Sequence, residues 1–385
     1  MPIPAEFAVA ERICVIAERR PAGAEPRFAP EFRERVPQLA RHWIVNHTVA
    51  GAMVCPTGAP PPEGDIPPET PLFSQRWYSP FPDGFGFSAA SAFPGGDGAN
   101  VSLVDIEYAW DVGHEDLGNI VASSISGEPE PEYAFHGNGV LGILAATENE
   151  YGVQGGSTGT MVSVAHPDFV IGDEIVYDVA RALLTAVHTL SAGDVVLIEQ
   201  QVYGPSGEYL PATWDVAVRD VADYAAKQGI TVVAAAGNGS VDLDDPEYEG
   251  AFAQGSTILV GAGEPSDSAD PRAWDGSNFG AGVAVQGWGS GIVTAGGDAY
   301  HDLFFPNDDP NQAYTSYFGG SSGASAIVAS MVAVIQSVAI QTRGAPLDPA
   351  EVRALLVASG DPESGDQGVG PQPNLLRALR TWFVP

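Results

Sequence analysis

Four short segments carry side chains whose types and spacing can do chemistry. The first is Gly319-Gly320-Ser321-Ser322-Gly323-Ala324-Ser325-Ala326, which opens a long run of Ala, Val, Ile, Ser and Met. A serine there stands at a helix N-terminus, where free N–H groups and the positive end of the helix dipole favour negative charge developing beside its hydroxyl. The second is Phe135-His136-Gly137-Asn138-Gly139, a histidine heading a segment of small residues. An imidazole of ordinary basicity takes a proton from a hydroxyl and returns it near neutral pH. The third is Val101-Ser102-Leu103-Val104-Asp105, an acid closing an apolar strand. A carboxylate buried there is costly unless paired, and a histidine N–H is the expected partner of Asp105. The fourth is Ala234-Ala235-Ala236-Gly237-Asn238-Gly239, in which Asn238 ends a strand with an amide able to donate to an oxyanion. In isolation each has a plainer reading: a helix cap for Ser321 and Ser322, a capped structural histidine, a capping aspartate, a turn-forming Asn-Gly pair. Taken together they point to nucleophilic acyl transfer, with Ser322 as nucleophile, His136 as base, Asp105 orienting the base and Asn238 stabilising the oxyanion.

The elements that must position these groups follow from period and length. Short apolar runs bounded by Gly or Asp predict strands over 100–105, 161–165, 194–200, 231–236, 257–260 and 283–286. Most are unbroken rather than alternating, as strands buried on both faces should be. Helices are expected over 174–190, 213–227, 321–341 and 349–357. The alternation predicts an α/β fold with a mainly parallel central sheet covered by helices, and no internal repeat is visible. The run 326–340 is interrupted by Ser330, Gln336 and Ser337 and is too short to span a bilayer, so it is read as a buried helix.

The four motifs, in the order Asp105, His136, Asn238, Ser322, resemble those of the subtilisin-like serine protease family, and the resemblance runs from about residue 84 to about residue 379. It implies a subtilisin-like three-layer sandwich and a serine endopeptidase acting on polypeptides through an acyl-enzyme, needing no cofactor for its chemistry. It also implies that Gln201, Val202, Tyr203 and Gly204 wall the primary specificity pocket on one side and Ala235, Ala236 and Gly237 on the other. The acids Asp242, Asp244, Asp245, Glu247 and Glu249 that follow Asn238 leave open a preference for basic side chains. A stabilising calcium held by Asp116, Glu148 or Asn149 and loop carbonyls is a further implication, since such oxygen-rich loops suit a hard cation. The chain departs from the family at Ile106-Glu107, where Ser or Thr and then Gly usually follow the catalytic Asp, and at Ala326, where a proline is usual. The first departure supports the alternative of a catalytically silent, subtilisin-like binding domain; an esterase or transpeptidase would share the acyl-enzyme and differ in the acceptor.

Composition constrains partners more than chemistry. The formal charge is −33 from 49 acidic and 16 basic residues, with Lys227 the sole lysine. The imbalance comes from missing bases, so a phosphate backbone would be repelled and nucleic acid is excluded as a partner. A soluble monomer is expected. The only cysteines, Cys14 and Cys55, show no metal or redox spacing, and one disulfide or two free thiols both remain open. The stretch 56–71 is proline-rich and separates residues 1–55, expected to be a propeptide-like or accessory segment with a strand over 7–17 and a helix over 30–43, from the main domain; the linker is drawn over 56–83 and the domain over 84–385. No secretory leader is visible, because 5–17 is broken by Glu11 and Arg12, whereas family habit implies export.

Overall fold

The computed structural model describes residues 72–248, 250–252, 255–265, 273–364 and 367–383. The expectations for residues 1–55, including the Cys14–Cys55 question, lie outside them.

Six parallel strands form the central sheet in the order β10-β9-β8-β5-β1-β2. They are β1 (Ser102–Ile106), β2 (Met161–Ala165), β5 (Val195–Ile198), β8 (Thr231–Ala235), β9 (Ile258–Gly263) and β10 (Val285–Trp288). Nearly every residue in them is buried, which is why their sequences are continuous apolar runs. Outside the sheet lie three antiparallel pairs: β3 (Asp168–Ile171) with β4 (Glu174–Tyr177), β6 (Gln201–Tyr203) with β7 (Tyr209–Pro211), and β11 (Ile292–Ala295) with β12 (Tyr314–Phe318). After the short α1 (Phe87–Ala90), the helices are α2 (Ala134–Ala145), α3 (Val179–Thr189), α4 (Val216–Lys227), α5 (Gly320–Arg343), α6 (Pro349–Ser359) and α7 (Leu375–Phe383). Helix α5 packs along β5, β8, β9 and β10 and against α2, while α3 packs on α4, on β1 and on β2. The result is a three-layer α/β arrangement.

The sheet order decides where a site can form. From β2 the chain returns across β1 to β5, so the winding direction reverses between β1 and β5, and the crevice beyond their carboxyl ends is the natural binding position in such sheets. Register fixes what reaches it: Asp105 lies opposite Val164 and Leu197, inside the strand, whereas Glu107 follows the last strand residue, Ile106.

Two glycines of α2 let the layers close. A Cβ on Gly139 would lie 2.4 Å from the Phe318 ring, and one on Gly142 2.4 Å from Thr294 Oγ1. Thr294 in turn donates to Gly139 O at 2.8 Å, locking α2 to β11. Helix α5 is long and apolar enough to cross a membrane by composition, but it runs through the core and is buried along most of its length.

Two expectations are corrected. Residues 174–177 pair as β4 rather than starting a helix, which begins at Val179 with Asp178 as its cap, its side chain accepting from Arg181 N. The main domain begins before Gly84: Trp77 is fully buried in the central core, and its indole donates to Val293 O at 2.9 Å. The proline content of the preceding linker hid this boundary.

The residues expected to hold calcium are placed as follows. Asp116 is fully buried and its oxygens accept from Asn149 Nδ2 (2.8 Å), Val153 N (2.7 Å) and the Tyr314 hydroxyl (3.0 Å). Glu148 instead lines a separate surface pocket with Tyr78, Phe87 and Asp97. The Asp116 carboxyl thus meets three protein donors, and burial lifts its pKa to about 6.

Two outcomes follow. Trp77→Ala should lower unfolding free energy by about 3–5 kcal/mol, read from the denaturant midpoint, because it empties a fully buried indole site. Chelation tests the expected calcium: a fall of several degrees in the thermal midpoint of the full chain on adding EDTA at neutral pH would support a structural cation, and an unchanged midpoint would count against it.

Candidate active site

His136 is the third residue of α2, partly exposed, and its Nδ1 lies 2.6 Å from Glu107 Oε2. Glu107 is fully buried, and its other oxygen accepts from Tyr108 N at 2.7 Å. A carboxylate only accepts, so with Glu107 ionised His136 Nδ1–H is the donor to it, which leaves Nε2 as the ring's free base. The approach needs Gly137: a Cβ there would lie 2.0 Å from Ala109 O and 2.9 Å from Glu107 Cγ. Asn138 fixes the same turn from the other side, accepting from Asp111 N and donating to the Asp111 carboxylate and to Gly296 O.

Burial alone would lower the His136 pKa, but the Glu107 charge and its hydrogen bond outweigh it, and the net shift is upward from 6.5. The imidazolium is thus favoured by a partner that also holds the ring in one tautomer.

Asp105 is not that partner. It is fully buried and neither of its oxygens has a hydrogen bond among the described residues. It sits two residues back along the strand, about 6.6 Å from Glu107 at the usual strand rise. Burial first, and the neighbouring Glu107 second, raise the Asp105 pKa well above 3.8, which opposes its ionisation. Sequence reasoning missed Glu107 although the signal was present. A period of two puts residues 105 and 107 on one face, and only the observed strand end shows which of them reaches the edge.

The serine segment is sorted by its hydrogen bonds. Ser321 Oγ donates to Asn238 Oδ1 at 3.0 Å and accepts from Gly237 N at 3.1 Å, so it is fully engaged. Ser322, 7% exposed, has no hydrogen bond to its hydroxyl among the described residues. Its N–H is one of the first-turn donors that the helix cannot pair. Asn238 Oδ1 also accepts from Ser321 N at 2.8 Å, which fixes the amide orientation and leaves Nδ2 as an available donor. Gly320 makes room: its φ is +70°, and a Cβ would press on the Asn238 amide at 3.1 Å. Phe318, the last residue of β12, links the two halves, since the His136 ring packs on it at 5.7 Å and Gly139 and Gly323 both abut it.

The expected pocket walls hold different kinds of residue. Ala235 and Ala236 are buried at the end of β8, and Gly237 turns with φ +96°. Gln201, Val202 and Tyr203 form β6, paired to β7, with Tyr203 70% exposed and Gly204 in the connecting turn. Gln201 Oε1 accepts from Asn238 N at 3.1 Å, so this side chain braces the amide strand. Asn278, unremarked in the sequence, is the staple: it donates to Tyr209 O and Ala236 O and accepts from Gly239 N and Val241 N. The acids Asp242, Asp244 and Asp245 are exposed and accept from backbone N–H groups of nearby turns, and Glu247 is exposed too, so these four give no ground for a basic-side-chain pocket. Glu249 lies outside the described residues.

Comparison with known proteins agrees with this architecture. An extracellular protease of Xanthomonas campestris pv. campestris is 28% identical over 237 residues, covering 60% of this chain and 37% of that protein. The chain thus spans little over a third of that relative. Among solved structures, fervidolysin from Fervidobacterium pennivorans, described as a keratinolytic enzyme related to subtilisin, superposes with a TM-score of 0.57 at 20% identity, over 80% of this chain and 47% of that one. The prenylagaramide maturation protease PagA gives 0.55 at 20% identity, over 77% and 97%. These two likenesses are of fold. Residues 97–372 match Peptidase S8, the subtilase family, and the chain belongs to it.

Proposed function

We propose that this chain is a serine endopeptidase in which Ser322 attacks the peptide carbonyl, His136 Nε2 takes and returns the proton, and Glu107 holds the imidazole through Nδ1. Asn238 Nδ2 and the Ser322 N–H then receive the negative charge that forms on the carbonyl oxygen. The 2.6 Å contact between His136 and Glu107 carries this reading, because it fixes the tautomer a general base needs and supplies the counter-charge for the imidazolium. Support comes also from the division of labour between adjacent serines: Ser321 anchors the Asn238 amide, while Ser322 keeps an unengaged hydroxyl. The silent-domain alternative drew on the Ile106-Glu107 departure; with Glu107 as the acid against His136, that ground is gone. Family membership and the curated protease relative favour polypeptide substrates.

A fluorophosphonate probe should label Ser322, and labelling should vanish in Ser322→Ala; labelling elsewhere or none would end the reading. Glu107→Gln should lower kcat/KM on the order of 10³- to 10⁴-fold, whereas Asp105→Asn should leave it within severalfold. Asn238→Ala should lower kcat about 10²- to 10³-fold with little change in KM. Because the base must be neutral, activity should fall as pH drops through a value above 6.5, and a limb at or below 6.5 would contradict the Glu107–His136 coupling.

A further inference from the structure

Behind the His136–Glu107 pair lies a third carboxyl that this mechanism does not use. Glu199 follows β5, the strand beside β1, and is 6% exposed. One of its oxygens lies within 4.8 Å of both a Glu107 oxygen and a His136 ring nitrogen, yet neither Glu199 oxygen has a hydrogen-bond partner among the described residues unless a proton lies on one of the two acids. Two carboxylates cannot both ionise at such range in a water-poor site. Glu107 is already the acceptor for Tyr108 N and for His136, so the proton belongs on Glu199. Each Glu107 oxygen has a second lone pair to receive it.

We propose that Glu199 is a positioning residue of the triad, a neutral carboxylic acid whose O–H is shared with Glu107, so that the acid pair beneath His136 carries one negative charge rather than two.

This inference rests on the triad reading above. Among the described residues, the titratable groups facing the cluster are consistent with it. Asp105 and Glu107 come from β1, Tyr108 follows it, His136 comes from α2, Glu199 follows β5, and His166, after β2, donates through Nδ1 to Glu107 O. His166 is itself held below 6.5, by burial first, and so stays neutral; Glu128 and Asp168 face it from outside. Among the described residues no lysine or arginine acts on Asp105, Glu199 or His136, so none of these supplies a fixed cation to keep a second carboxylate ionised. Burial, then Asp105 and Glu107, push Glu199 well above the usual carboxylate range. Functionally, one charge stabilises the imidazolium formed when His136 takes the serine proton, whereas two would trap it and stop its return to the leaving amine.

The discriminating variant is Glu199→Gln, which keeps a neutral donor toward Glu107. If Glu199 is the shared acid, the acidic limb of the kcat/KM profile should move by less than about half a pH unit; if it is a carboxylate, loss of its charge should move the limb down by about 1–3 units, and the proposal is overturned. A second measurement does not need activity. In the full chain carrying Ser322→Ala, infrared difference spectra against Ser322→Ala/Glu199→Gln at neutral pH should show loss of one protonated-carboxyl C=O stretch. Loss of a carboxylate band in its place refutes the shared proton. Failure of the fluorophosphonate probe to label Ser322 would instead retire the triad and leave the infrared result standing, so the two failures are distinguishable.

Discussion

The contact between His136 and Glu107 is the constraint on which the site depends. It joins a helix head to the end of a central strand through a 2.6 Å hydrogen bond, in a region where no lysine or arginine among the described residues acts on Asp105 or Glu199. Charge must therefore be settled among the acids and the imidazole themselves. Asp105 and Glu199 are raised, His136 is raised, and the single ion pair is drawn where the geometry is tightest. Removing one partner of such a pair leaves the other as an uncompensated buried group, which is why the surrounding residues hold it so closely.

The rest of the molecule can be understood as the apparatus that makes this contact reachable. The reversal of winding between β1 and β5 brings Glu107 and Glu199 to adjacent strand ends. Gly137, Gly139 and Gly142 let α2 sink onto the strand, onto Phe318 and onto β11. Across the crevice, Asn278 and Gln201 brace the segment from Ala236 to Val241, and Ser321 holds the amide of Asn238 by its oxygen. These polar groups are buried or partly buried and satisfied, so the amide and the serine helix hold a defined geometry before any substrate arrives.

Much of the fold was legible because buried parallel strands leave an unambiguous mark. All six central strands were expected, most of them from unbroken apolar runs, and β2 was placed to the residue. The β3–β4 hairpin was not, since Glu174–Tyr177 is solvent-facing and its residues are compatible with the amphipathic segment that follows. Ligand sets are less legible: oxygen-bearing residues in one loop do not reveal which neighbouring donors, such as Tyr314, remote in sequence from Asp116, they also meet.

By itself the sequence determined the α/β class, the positions of His136, Asn238 and Ser322 at element ends, and the excess of acid over base, because these depend on local period, turn chemistry and composition. Only the tertiary structure decided which acid meets the histidine and which serine is tied down. Residues 105 and 107 share a strand face, and 321 and 322 share a helix turn, so their local signals are nearly the same. What separates them is where the strand stops and what Gly137, Asn238 and Glu199 bring alongside from distant parts of the chain.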